Sequence, residues 1–425
     1  MKRIVIKDGR VIDPAHEVDA IQDVYVSDGK IVALGKAPAG FEVNHEILAK
    51  NKIVCPGFID LTARLREPGF EHKATIASET RAAAHAGITT LCCPPDTYPV
   101  IDHPAIVEFI ENRAKAEGKA QVVMLGALTR GLNSDQLAEM AALKQAGCVG
   151  VSNAHHSIAN SAVQRRCFEY ASTLGLTVFI NAEDARLANK GCVHEGVVST
   201  RLGLPGIPVC AETITVARDL ILMEETGAKI HFNQISSGQV VEMIAKARAR
   251  GLPVTADVSA HQLHLTEMDI GEFNTLCHVR PPLRTLSDQQ QLKLGIKQGA
   301  IQAICSDHQP HDVDAKLQPF GQSAPGISSL ETLLPLTLRL VTEGLMTLSE
   351  AIATLSSNPA SILRLERGHL AVGAVADICI FDPTYEWTLD KEKLISKGHN
   401  SPFHGWLLRG RVENTLLGGR VVYQR

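Results

Sequence analysis

The chain has no strong excess of charge of either sign: 42 Lys and Arg against 46 Asp and Glu leave a formal net charge of -4 over 425 residues. Without a basic surface to neutralise phosphates or headgroups, there is no electrostatic case for a nucleic-acid or membrane-surface partner. No apolar run approaches the ~20 residues that a membrane-spanning helix needs. The opening Met1-Lys-Arg-Ile-Val-Ile-Lys-Asp-Gly9 reads as a strand and turn, not as a basic region followed by an apolar leader. The expectation is a cytoplasmic protein. Cys-x-x-Cys pairs are also missing, and most of the ten cysteines sit in apolar runs such as 90–94 and 303–306. Buried, reduced thiols are therefore expected in place of disulfides or a thiolate metal site. No internal repeat or low-complexity segment stands out.

What is present is length enough for a substantial core and a regular alternation of short apolar runs with longer helical patterns. Strand candidates fall at 53–61, 88–93, 122–128, 148–152, 177–180, 229–235, 254–258 and 300–305, with helical faces at 75–86, 104–117, 135–145, 161–174, 210–225, 239–250 and 288–297. Eight such strands with helices between them predict an α/β fold, a (β/α)8 TIM barrel over residues 53–369. Glycine closes several helices, at Gly87, Gly147, Gly175, Gly227 and Gly251. Residues 1–52 and 370–425 are rich in strands and in Asp-Gly or Gly-Gly turns, and predict one small composite β domain built from both termini.

At the end of the first predicted barrel strand stands Cys55-Pro-Gly-Phe-Ile-Asp-Leu-Thr-Ala-Arg-Leu-Arg-Glu-Pro-Gly69. Further blocks follow in order: Asp96-Thr-Tyr-Pro-Val-Ile-Asp102, Thr255-Ala-Asp-Val-Ser-Ala-His261, Arg280-Pro-Pro-Leu-Arg284, Ser306-Asp-His-Gln-Pro-His311 and Gly373-Ala-Val-Ala-Asp-Ile-Cys-Ile-Phe-Asp-Pro383. Together they resemble the dihydroorotase branch of the amidohydrolase superfamily, and the resemblance spans almost the whole chain. Where that family reads His-x-His, this chain has Thr62 and Arg64. His-x-His at a strand end puts two imidazoles on one side of the pleat, where both can grip one zinc. An arginine has no lone pair to offer, and a neutral threonine hydroxyl is a poor ligand for a divalent metal.

The resemblance allows each strand end to be audited, since barrel chemistry sits at the carboxyl ends of the strands. Asn153 and Ala154 stand where the family carries a metal-bridging aspartate, Asn181 and Gln234 where it has histidines, and only Asp307 is kept. Five of six donor positions are thus unfit for zinc, and no cofactor is expected. The remaining His155, His156, His231, His261, His264, His308 and His311 read as structural residues, with His308 buttressing the barrel mouth by hydrogen bonding. In the substrate pocket the resemblance implies a vestigial carboxylate-binding role for Arg66 and a vestigial place around the substrate for His311, while Asp96 and Arg280 replace the family's asparagines. Asp96 is expected to pair with Arg66 and fill the old carboxylate site, and Arg64 to lie within a few ångströms of Asp307, with its guanidinium standing where zinc stood.

Two functions from different classes follow. One is a catalytically inactive dihydroorotase-like subunit that assembles with the catalytic chain of aspartate carbamoyltransferase in pyrimidine synthesis, a partner implied by the resemblance alone; a homo-oligomer is expected alongside it. The other is an active cyclic-amide hydrolase with an atypical site, in which Asp307 serves as base without a Lewis acid to polarise the amide. The loss of donors favours the first.

Overall fold

The computed structural model describes residues 3–425. Its centre is a parallel eight-stranded sheet formed by Phe58–Asp60, Ile88–Cys93, Gln121–Ala127, Gly150–Ser152, Thr177–Asn181, Lys229–Asn233, Val254–Ser259 and Ala303–Cys305, each hydrogen-bonded to the next in chain order. The ring closes just past the strand ends: His308 N donates to Thr62 O at 3.2 Å and Arg64 N to His308 O at 2.9 Å. The backbone of Thr62 and Arg64 therefore completes the barrel.

Helices pack around this ring, among them Ile76–His85, Pro104–Glu117, Ser161–Thr173, Cys210–Thr226, Gly238–Ala249 and Leu286–Lys297. Their apolar faces and the outward strand residues share one core that includes Phe58, Phe168, Val178 and Phe232. The five closing glycines all adopt positive φ, the left-handed turn that an L side chain resists. The ten cysteines are free, and all but Cys210 are buried. No helix among the described residues is long and apolar enough to cross a membrane.

Two sequence expectations need correction. The strand expected at 53–61 is two strands: Ile53–Pro56 belongs to the outer sheet, pairing with Arg3–Asp13 and Ile378–Thr388, and only Phe58–Asp60 enters the barrel. The outer domain thus extends past residue 52. Pro56 cannot donate to a ladder, and a Cβ on Gly57 would overlap the Thr89 side chain, so the chain changes sheets at this pair. The helix expected at 135–145 begins only at Met140. Before it, Ser134 sits at positive φ with its hydroxyl bonded to Ser157 O, which holds the segment as a loop.

The composite β domain is a second eight-stranded sheet that joins the strands of residues 3–56 to Ile378–Thr388, Leu407–Leu417 and Arg420–Gln424. It has its own core, with Ile4, Ile6, Val24, Val26, Ile378 and Leu416 fully or almost fully buried.

Candidate functional site

The carboxyl ends of the barrel strands converge on Arg64, whose side chain is 6% exposed. Its Nε donates to Asp96 Oδ2 at 2.8 Å, and its Nη1 lies 3.5 Å from Asp307 Oδ1. One guanidinium thus bridges the ends of the first, second and eighth strands. Burial alone would lower the Arg64 pKa, but Asp96 and then Asp307 outweigh it and raise the pKa, so the group is a permanent cation. The two carboxylates answer differently. Burial acts on Asp96 too, yet the short charge-assisted bond to Arg64 holds its carboxyl below the usual range. Asp307 is 1% exposed and has the longer contact, and burial pushes it up to about 7 against the pull of Arg64. Gln309 Nε2 donates to Asp307 Oδ1 at 3.0 Å and supplies its second partner.

A chain of amides crosses the barrel mouth beside this cation. Asn181 Nδ2 donates to Gln234 Oε1, Gln234 Nε2 donates to Thr62 Oγ1 at 2.8 Å, and Gln234 N donates to Asp257 Oδ1 at 2.7 Å. Side chains from the first, fifth and sixth strand ends saturate one another. Asn153 turns away: its Oδ1 accepts from Thr129 Oγ1 at 2.8 Å and its Nδ2 donates to His156 O at 2.8 Å, tying down the turn after the fourth strand. Among the described residues no cluster of three or more His, Cys, Asp and Glu side chains is placed to hold a metal ion. The donors at the mouth therefore do not fit zinc: a cation fills the centre, and the neighbouring oxygens are engaged.

A family model described as Dihydro-orotase-like matches residues 51–239, and one described as Amidohydrolase family matches residues 322–423. A protein of Pseudomonas aeruginosa named "Dihydroorotase-like protein" is 48% identical over 421 residues, which is 99% of each chain. The chain belongs to the dihydroorotase-like family. Another relative, from Geobacter sp. strain M21 and named "Dihydroorotase", is 44% identical over 99% of both chains. Among solved structures, the L-hydantoinase (dihydropyrimidinase) of Arthrobacter aurescens superposes with a TM-score of 0.89 over 100% of this chain and 96% of its own, at 22% identity, which speaks for the fold alone.

Against the family pattern, the structure joins Thr62, Arg64, Asn181, Gln234 and Asp307 at the barrel mouth and sets Asn153 apart. The Arg64–Asp307 contact is present; the expected Asp96–Arg66 pair is not. Asp96 is taken by Arg64, while Arg66 Nε donates to Pro310 O at 3.1 Å. The backbone explains the exchange, because Arg66 lies at φ 62°, a left-handed turn that carries its side chain toward the loop after the eighth strand. Burial, and then Arg64, lower the Arg66 pKa to about 10, which leaves it charged at neutral pH. His311 Nε2 lies 2.9 Å from Pro325 O and 3.2 Å from Arg66 Nη2. A proton on Nε2 satisfies the carbonyl, so the arginine contact is a close approach of two donors. Burial drives the His311 pKa down to about 2 and keeps the ring neutral.

Arg280 does not face the pocket as a free cation; its guanidinium forks onto Glu183, with Nε donating to Oε2 at 2.9 Å. His231 is buried between Thr255 Oγ1 at 2.8 Å and Asp257 Oδ2 at 2.9 Å, and His308 Nε2 meets Glu79 Oε2 at 2.7 Å. Sequence reasoning missed Glu79, Glu183 and Gln309. The last was the most legible, two residues after Asp307 on the same turn.

Above pH 7, where Asp307 is ionised, replacing Arg64 with Ala leaves it buried without a counter-charge, and a loss of ~3–5 kcal/mol is expected in denaturant unfolding. Arg64→Ala combined with Asp307→Ala should cost less than the sum of the single changes, since Asp96 is partly exposed and can be hydrated. Strict additivity would mean the pair carries no coupling. A pH series tests Asp307 separately. Its carboxyl holds its proton in the fold up to about 7, whereas the unfolded chain releases it near the ordinary carboxylate value. The native chain should therefore lose stability relative to Asp307→Asn as pH rises from about 4 to about 7. A constant difference in melting temperature across that range would refute the assignment.

Proposed function

We propose that this chain is a catalytically inactive member of the dihydroorotase-like family and serves as a structural assembly subunit for the catalytic chain of aspartate carbamoyltransferase in de novo pyrimidine synthesis. One observation carries the inactive reading: the Arg64 guanidinium stands between Asp96 and Asp307, at the focus of the strand ends. Family hydrolysis needs an activated water, and a bound zinc lowers its pKa from 15.7 to about 7. Here the focal group is a cation with no lone pair. Asp307 cannot act as a free base while Arg64 and Gln309 hold it. The choice of partner rests on family resemblance, and is associational rather than geometric. A scaffold role fits a chain that keeps the closed barrel and the composite domain while its donor set is gone. It also fits a cytoplasmic setting.

The competing reading is an active dihydroorotase with an unusual site, favoured by the names of relatives such as the 44% identical Geobacter protein. Direct measurement separates the two. The dialysed protein should contain well under one zinc per chain by elemental analysis and should not interconvert carbamoyl aspartate and dihydroorotate; stoichiometric zinc with turnover would establish the enzyme. For the partner, sedimentation of this chain mixed with an aspartate carbamoyltransferase catalytic chain should give a faster species than either alone. Two unchanged boundaries would remove the assembly role.

A further inference from the structure

The composite β domain holds a pair of thiols that the barrel mouth does not use. Cys55 on Ile53–Pro56 and Cys379 on Ile378–Thr388 stand directly opposite each other in an antiparallel ladder, with Val54 against Ile380 and Pro56 against Ile378 on either side. Opposite residues of such a ladder project to the same face. The cores show which face it is: Ile53, Cys55, Cys379 and Phe381 are buried among the barrel's apolar residues, whereas Val54, Ile378 and Ile380 belong to the core of the outer domain. Both thiols therefore point from the sheet toward the barrel, and both are fully buried. No other ladder position among the described residues sets cysteine against cysteine: Cys92 and Cys93 face Val123 and Met124, and Cys305 faces Ser259.

The ladder holds the pair at a separation that a disulfide can span. Directly opposed residues of an antiparallel pair have Cα atoms about 4.5 or about 5.5 Å apart, depending on whether they exchange hydrogen bonds, and both values lie inside the roughly 4.4–6.8 Å that disulfides cover. Their Cβ atoms need to close by about 1 Å at most. The Cys55 thiol already leans across the strands and donates to Cys379 O at 3.7 Å. Gly87 makes room for the other sulfur, since a Cβ there would stand 2.5 Å from Cys379 Sγ. Burial, and then the neighbouring Cys379, raise the Cys55 pKa well above the ordinary thiol value. In the closed sheet Cys55 is therefore a protonated, unreactive thiol, and its chemistry waits on local opening of the strands.

We propose that Cys55 and Cys379 form an oxidation-responsive clasp, in which a low-molecular-weight disulfide converts the pair into a cross-strand disulfide that locks the N-terminal and C-terminal parts of the composite domain together. One cysteine gives up its proton and its thiolate attacks a sulfur of the reagent, forming a mixed disulfide and releasing one reagent thiol. The other cysteine, deprotonated in turn, attacks the protein sulfur of that mixed disulfide and releases the second reagent thiol. Two protein thiols thus lose two electrons and two protons, which the two reagent thiols gain. The bond joins positions 324 residues apart, so it constrains the unfolded chain strongly. The inference does not depend on whether the barrel is active.

The test equilibrates the full chain with oxidised glutathione in urea below its unfolding transition, which lets the sheet open and close, followed by alkylation and peptide mapping. A peptide linking Cys55 to Cys379 should accumulate. On a non-reducing gel the linked chain should run ahead of the reduced one, because the closed loop compacts the denatured chain, and dithiothreitol should reverse the shift. Cys379→Ala should give neither the linked peptide nor the fast band, and the linked chain should unfold at higher urea than the reduced chain. Exposed Cys210 shows that the reagent is competent, through its own glutathione adduct. Unlinked Cys55 and Cys379 in a map that has stopped changing, with Cys210 fully modified, would overturn the inference. So would a linked chain that unfolds at the same urea concentration as the reduced one. Should Cys379→Ala not fold, the map of the unaltered chain decides by itself.

Discussion

The mouth of this barrel is organised by one buried cation. Arg64 reaches Asp96 after the second strand and Asp307 after the eighth, while its own backbone N–H bonds to His308 and closes the ring. Taking two carboxylates and a guanidinium out of water is expensive, and it is tolerable only when each finds a partner. The single cation serves both acids. The remaining strand-end side chains then arrange themselves as neutral donors and acceptors, Asn181 to Gln234 to Thr62.

The backbone around the site keeps the shape of a functional centre. Arg66, Ala154, Gln234 and Asp307 all stand at positive φ, between 46° and 62°, at the turns that leave the barrel strands. Non-glycine residues hold such conformations at some cost, and only where the surrounding structure imposes them. The closed barrel and the composite sheet have cores of their own.

Much of the barrel was readable from periodicity, because strand and helix patterns repeat at different spacings and glycine marks the handover between them. The exceptions are local. At Pro56 and Gly57 one apolar run serves two sheets, which periodicity cannot detect, since both halves are equally buried. In the candidate site, strand-end placement brought Arg64 and Asp307 together correctly, because both positions are set by where a strand ends. It failed for Asp96 and Arg66, because the outcome depended on the direction in which a left-handed turn aimed one arginine.

The sequence alone determined the identity of the side chains available at the mouth, and with it the presence of Thr62, Arg64, Asn153, Asn181 and Gln234 in place of strong metal donors, since donor chemistry belongs to the residue and not to its surroundings. It also determined the number and order of the barrel strands. Only the tertiary structure decided the pairings: Asp96 with Arg64, Arg280 with Glu183, Asp307 with Gln309. These residues lie on different loops, and which of several nearby opposite charges meet is set by ångström differences in backbone direction and burial.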